Sequence, residues 1–221
     1  MAKVSAEKID ALMDDASAAL AKTDYFTCER LASKALASAF QVRDFERMAR
    51  IVLPLQESRR QKRLLAADTG RVFRLSEKAP EDEPLEAGCY LIEPMLVGAD
   101  GRDVRERADA EETPVLVVVR EPETQLGAWP LVMIGPMTVR TRVAPPEGGE
   151  PTVEWMLMAS EALGDEAISQ VDPDESGEDR VEEYLDRLAV CPEHEKLHQR
   201  LAEACRDAVA QERESKRAAS E

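Results

Sequence analysis

The sequence predicts an α+β protein whose N- and C-terminal helical hairpins pack around a small, mainly antiparallel sheet of about five strands. Three observations carry that expectation. Apolar residues recur at three- and four-residue spacing in the first sixty residues and again in the last third. Short β-branched runs bounded by Gly and Pro fill the middle. Aromatic residues make up only 4% of the chain, so Ala, Leu, Val and Met must fill the core, and abundant Ala lets helix backbones approach. At 221 residues, 43% apolar and 33% charged, the chain can bury a core without disulfides.

Residues 1–66 read as an N-terminal helical segment. Ile9, Leu12, Met13, Ala16 and Leu20 form the first apolar face, with Ser5 as N-cap. A break at Thr23-Asp24 starts a second helix carrying Tyr25, Cys28, Leu31, Ala32, Ala35, Leu36 and Ala39. A third begins near Arg43 with Phe45, Met48, Ala49 and Val52, and Pro54, which lacks a backbone donor, is expected to kink it or end its regular part. Residues 70–144 read as a small β-rich domain with strands at Arg71–Leu75, Cys89–Ile92, Pro114–Val119, Trp129–Ile134 and Met137–Val143. Pro114–Val119, an unbroken β-branched run, is expected to be buried on both faces. Asp103–Glu112 reads as a short exposed helix after an Asp100-Gly101 turn, and Ala144–Pro151 as a linker. Residues 152–212 return to helix: a segment from Thr152 stopped by Gly164, an acidic turn at Asp172–Asp179, then a hairpin of Val181–Val190 and Pro192–Ala210. Residues 213–221 are expected to fray.

The net charge of −16 is unevenly spread. Residues 1–70 carry twelve bases against ten acids, whereas residues 159–221 carry eight against eighteen. Such a balance disfavours nucleic-acid or anionic-membrane partners, which need clustered Lys and Arg. The Arg43–Arg63 stretch runs against that trend with seven bases and three acids, but it lacks interleaved aromatics for base stacking. Internal pairing of some of Arg43, Arg47, Arg50, Arg59 and Arg63 with acids beyond residue 70 is the expectation. MAKVSAEKID has no apolar run of a signal peptide, and no stretch approaches the ~20 apolar residues of a membrane span. Cys28, Cys89, Cys191 and Cys205 show no C-x-x-C pairing and read as reduced core thiols, which points to a cytoplasmic location.

The two ends resemble tetratricopeptide repeats, helix–turn–helix units of about 34 residues that stack into binding surfaces. Tyr25, Cys28, Ala32 and Ala35 match the spacing of the repeat's second helix. Trp155, Met158, Ala159 and Ala162 match its first helix, Leu163–Ile168 the turn between helices, and Leu188–Pro192 the repeat's end. The central strands exclude a continuous solenoid. The resemblance implies a groove for a peptide or a neighbouring helix, and no catalytic residue.

His194-Glu195-Lys196-Leu197-His198 spells H-E-x-x-H and in those five residues resembles zincin metalloproteases, whose two His chelate zinc while Glu activates bound water. Glu193 and Lys196 put charge where that helix is normally apolar, and only twenty-three residues follow His198 to supply a third ligand. Cys191 is the candidate third ligand, while Cys205 lies ~21 Å further along a continuous helix. The competing reading makes these His the flanks of a packing stripe of Leu197, Leu201, Ala204 and Ala208. No G-x-G-x-x-G or Walker loop is present, Gly127, Gly135, Gly148 and Gly149 read as turn residues, and Trp129 and Trp155 read as core anchors. The expectation is therefore a non-enzymatic protein–protein interaction or scaffold protein, with no catalytic residues, no cofactor and a protein or peptide partner. A small zinc-dependent hydrolase using His194 and His198 with Glu195 as base is the alternative.

Overall fold

The structure, a computed structural model, describes residues 5–123 and 127–220. The first four residues of the 1–66 segment and the last of the 213–221 tail lie outside the described residues. Helices α1 (Ala6–Ala21), α2 (Tyr25–Gln41) and α3 (Phe45–Asp68) follow one another through two loops of the same design. Thr23 and Arg43 each take the left-handed conformation, with φ of 59° and 56°. The next amide in each loop, Asp24 and Asp44, donates five residues back to Ala19 and Ala39. Those aspartates then cap the following helix, accepting from the Thr27 amide at 3.2 Å and the Arg47 amide at 3.0 Å. Ser5 caps α1, accepting from the Lys8 amide. Pro54 does not end α3, which continues to Asp68.

Five strands follow: β1 (Val72–Leu75), β2 (Gly88–Ile92), β3 (Val115–Arg120), β4 (Trp129–Ile134) and β5 (Thr138–Val143). They lie in sequence order in one mixed sheet, with β1–β2 and β2–β3 parallel and β3–β4 and β4–β5 antiparallel. This corrects the expectation of a mainly antiparallel sheet. The reason is connectivity: a twelve-residue loop, 76–87, joins β1 to β2, and a helix crosses from β2 to β3, and such connections bring a strand back parallel. That helix, α4 (Gly98–Ala110), begins five residues before the expected start and absorbs the supposed Asp100-Gly101 turn. Asp100 accepts from the Val97 amide at 2.7 Å, while a side chain on Gly101 would collide with Val119. The glycine lets α4 lie against the sheet. β2 is buried along its whole length.

Helix α5 (Val153–Ser169), capped by Thr152, covers the sheet and runs through Gly164, so the expected stop there is corrected. With it goes the expected inter-helix turn at Leu163–Ile168. A side chain at Gly164 would stand 2.6 Å from His194 Nδ1, and the glycine makes room for that ring. Trp129 and Trp155 stack edge to face with centroids 5.4 Å apart, and Trp155 Nε1 donates to the Ala144 carbonyl at 3.0 Å. Helix α6 (Gly177–Val190) starts inside the expected acidic turn. Helix α7 (Glu195–Ala218) starts three residues after Pro192 and stays helical through most of the segment expected to fray. A Lys216–Glu212 pair at 2.6 Å, one turn apart, supports that last stretch.

The chain divides into two compact units that do not follow the 1–66, 70–144 and 152–212 segmentation. One holds 1–60, 171–185 and 195–221, the other 61–170 and 186–194. The helical unit buries Ile9, Cys28, Met48, Ile51, Leu197 and Leu201. The sheet unit buries Leu91, Ile92, Leu116, Leu131, Met156 and Leu163. No helix among the described residues is long and apolar enough to cross a membrane.

Candidate functional site

The H-E-K-L-H segment does not fold as one chelating helix face. His194 precedes α7 and belongs to the sheet unit, whereas His198 lies inside α7 in the helical unit. Both rings are buried, at 2% and 0% exposure, beside a packing stripe whose Leu197 and Leu201 are buried as well. His194 Nε2 sits 3.2 Å from Glu161 Oε2 and 3.4 Å from Asp165 Oδ1, both on α5. Glu161 also takes Arg63 Nη1, and its carboxyl is held down at about 2, first by the His194 hydrogen bond and then by Arg63. On His198 the partner is Arg59, whose Nη1 lies 3.4 Å from Nε2. A guanidinium can only donate, so that imidazole nitrogen accepts. Arg59 Nε meanwhile donates to Glu29 at 2.7 Å. His194 Nε2 thus lies beside two carboxylates of α5, and His198 Nε2 faces Arg59. Among the described residues no group of three or more His, Cys, Asp and Glu is arranged to hold a metal ion.

The four cysteines are buried and unbridged. Burial pushes the Cys89 thiol up to about 11 and those of Cys191 and Cys205 up to about 12, which suppresses the nucleophilic thiolate. The desolvation that raises Cys191 in this way makes it a poor third ligand.

Most of the basic stretch is engaged. Arg43 pairs with Glu178, Arg47 with Asp10 and Asp44, Arg59 with Glu29 and Arg60 with Glu57. Lys62 pairs with Asp109 and Arg63 with Glu161. The expected acids beyond residue 70 serve Arg43 and Arg63, while Arg47 and Arg59 find partners within the first sixty residues. Arg50 makes no ion pair with any described residue.

Arg50 opens onto the feature that the sequence reading missed. Along α3, Glu46, Ala49, Arg50 and Leu53 recur at i, i+3, i+4 and i+7. On α7, Arg206, Val209, Ala210 and Arg213 repeat the same spacing. These two rows face each other across an open groove of ≈ 500 Å³ in the helical unit. Arg59 meets His198 at one level, and Arg213 meets Glu46 at 3.7 Å thirteen residues back along α3 and fifteen on along α7. The helices therefore run antiparallel beside the groove. Leu53, 65% exposed, forms part of its apolar floor with Ala49, Val209 and Ala210. A second hollow of ≈ 280 Å³ in the same unit is bordered by Arg43 and Glu178, which neutralise each other. The amphipathic rows were legible in the sequence one helix at a time, but nothing local joined residues 46–53 to residues 206–213. No family model, curated protein or solved structure matches this chain, so its function must be read from its own residues.

Proposed function

We propose that this chain is a non-enzymatic interaction module, a divergent tetratricopeptide-like scaffold that binds a segment of a protein partner. The groove between α3 and α7 carries the reading: two helix faces in i, i+3, i+4, i+7 register leave Leu53 exposed between them. An apolar helix face laid into such a groove is a recurring mode of peptide recognition. Further support comes from the α1–α2 hairpin, whose buried Cys28, Ala32 and Ala35 hold the two helices close, as small residues do in stacked helical repeats. Engagement of six of the seven bases in Arg43–Arg63 by carboxylates argues against a phosphate-backbone partner. The His194 and His198 surroundings give the hydrolase alternative no support.

Selection from a random sixteen-residue peptide display library tests the reading. Peptides selected on the wild-type protein are expected to lose binding to Leu53→Asp, a change on an exposed side chain that leaves the far-UV circular dichroism unchanged. Selected peptides that bind both proteins equally would place recognition elsewhere and sink the assignment to this groove.

A further inference from the structure

We infer that the occupant of the α3–α7 groove is an acidic amphipathic helix of a partner protein; the inference rests on the binding reading above and adds the partner's chemistry. The chain carries −16 overall, yet three arginines border this one apolar groove. Arg50 and Arg206 are exposed and make no ion pair with any described residue, and Arg50 acts on Asp10 only through the longer-range field that helps lower that carboxyl. Arg213 is turned toward Glu46 at the groove's end, a weak contact between side chains about 70% exposed. Cationic rims of this kind select the sign of a partner and steer its approach. The floor sets the shape. Each lining row spans eight residues, or ~10 Å of helix, which matches two turns of an incoming helix. Ala49 and Ala210 admit close approach, while Leu53 and Val209 supply apolar contact. A bare acidic coil would leave that floor wet, and a basic helix would meet like charge at Arg50 and Arg206. Apposition of this groove with its twin on a second copy would bring arginine onto arginine. Glu46 disfavours acids at its own end, so the partner's carboxylates fall beside Arg50 and Arg206.

Two synthetic sixteen-residue helices test this, each with leucines at i, i+3, i+4 and i+7, one flanked by glutamates and the other by lysines. Fluorescence anisotropy on the full chain is expected to show the glutamate peptide bound at least about tenfold more tightly than the lysine peptide. That preference should shrink as salt rises from 50 to 300 mM, and the Arg50→Glu/Arg206→Glu variant should reverse it. Equal binding of both peptides, or a preference that the double reversal leaves intact, overturns the acidic occupant. If such binding is still lost on Leu53→Asp, the groove reading survives alone. Failure of both peptides to bind, together with a concentration-dependent dimer that Leu53→Asp dissolves, would make the occupant a second copy and overturn the inference. Failure of both with no dimer overturns it as well.

Discussion

Replacing Gly164 with alanine separates what helix propensity dictates from what packing dictates. Gly164 lies inside α5, where Gly→Ala ordinarily stabilises a helix by about 1 kcal/mol. Here the added methyl would stand 2.6 Å from His194 Nδ1 and nearer still to two ring carbons. That ring is 2% exposed and tied to Glu161 and Asp165, so it cannot swing away freely. Overpacking of this sort costs about 1–3 kcal/mol, and displacing the ring also weakens a charge-assisted hydrogen bond worth roughly 1.5–3 kcal/mol. The propensity gain offsets only part of this, leaving a net loss of about 1–3 kcal/mol, or a fall in Tm of roughly 2–10 °C for a chain of this size. His194→Ala is itself destabilising, but in that background the methyl has room and Gly164→Ala should gain up to about 1 kcal/mol. The double-mutant cycle, read by differential scanning calorimetry, should therefore return a coupling of about 1–4 kcal/mol. A Gly164→Ala that raises Tm equally in both backgrounds would refute the claim that His194 dictates the glycine.

Two further expectations concern α7 and the Glu161 carboxyl. Leu201→Ala on α7, at a fully buried position, should cost about 2–5 kcal/mol in urea unfolding, whereas Glu214→Ala on the exposed far end of the helix should stay within about 0.5 kcal/mol; comparable losses would mean that α7 is not anchored through its apolar stripe. The Glu161 carboxyl is lowered from 4.5 to about 2 in the folded state by His194 and Arg63, so it contributes stability that is complete above pH 4.5 and lost as pH falls from 4.5 to about 2. The Tm difference between wild type and Glu161→Gln should narrow over that window, and a constant difference would remove the carboxylate from the account.

The strands were legible because most are short apolar runs closed by turn residues, β5 being the alternating exception, and Trp129–Ile134 falls where the sequence placed it. Their directions were not, because direction depends on what joins them: the helix read at Asp103–Glu112 already implied a crossover, but its start was masked by Gly98, Asp100 and Gly101. Gly101 and Gly164 were both read as punctuation, and both are concessions to a neighbour brought in by the fold, Val119 in one case and His194 in the other. The burial of His194 and His198 was invisible for a related reason. Glu161 is thirty-three residues from one and Arg59 a hundred and thirty-nine from the other, and a residue without its partner looks like surface. On α3 the apolar face Phe45, Met48, Ala49 and Val52 was recognised, but the row Glu46, Ala49, Arg50 and Leu53 was not read as a groove wall because its counterpart lies on the last helix.

The discontinuity of the helical unit bears on how the chain reaches its native state during synthesis. Residues 1–60 emerge first, but α7, which completes the same unit, begins 135 residues after Arg60. At translation rates of roughly 5–20 residues per second, the first three helices wait on the order of ten seconds for it. The 61–170 segment, lacking only 186–194, is available to condense in the interval. Over that period the helical unit lacks Leu197 and Leu201, which are buried in its core, and the nascent chain presents an incomplete apolar core to whatever holds unfinished proteins at the ribosome exit. Slowing elongation late in the message should prolong this exposure and lower the yield of native protein, whereas slowing it before residue 60 should not.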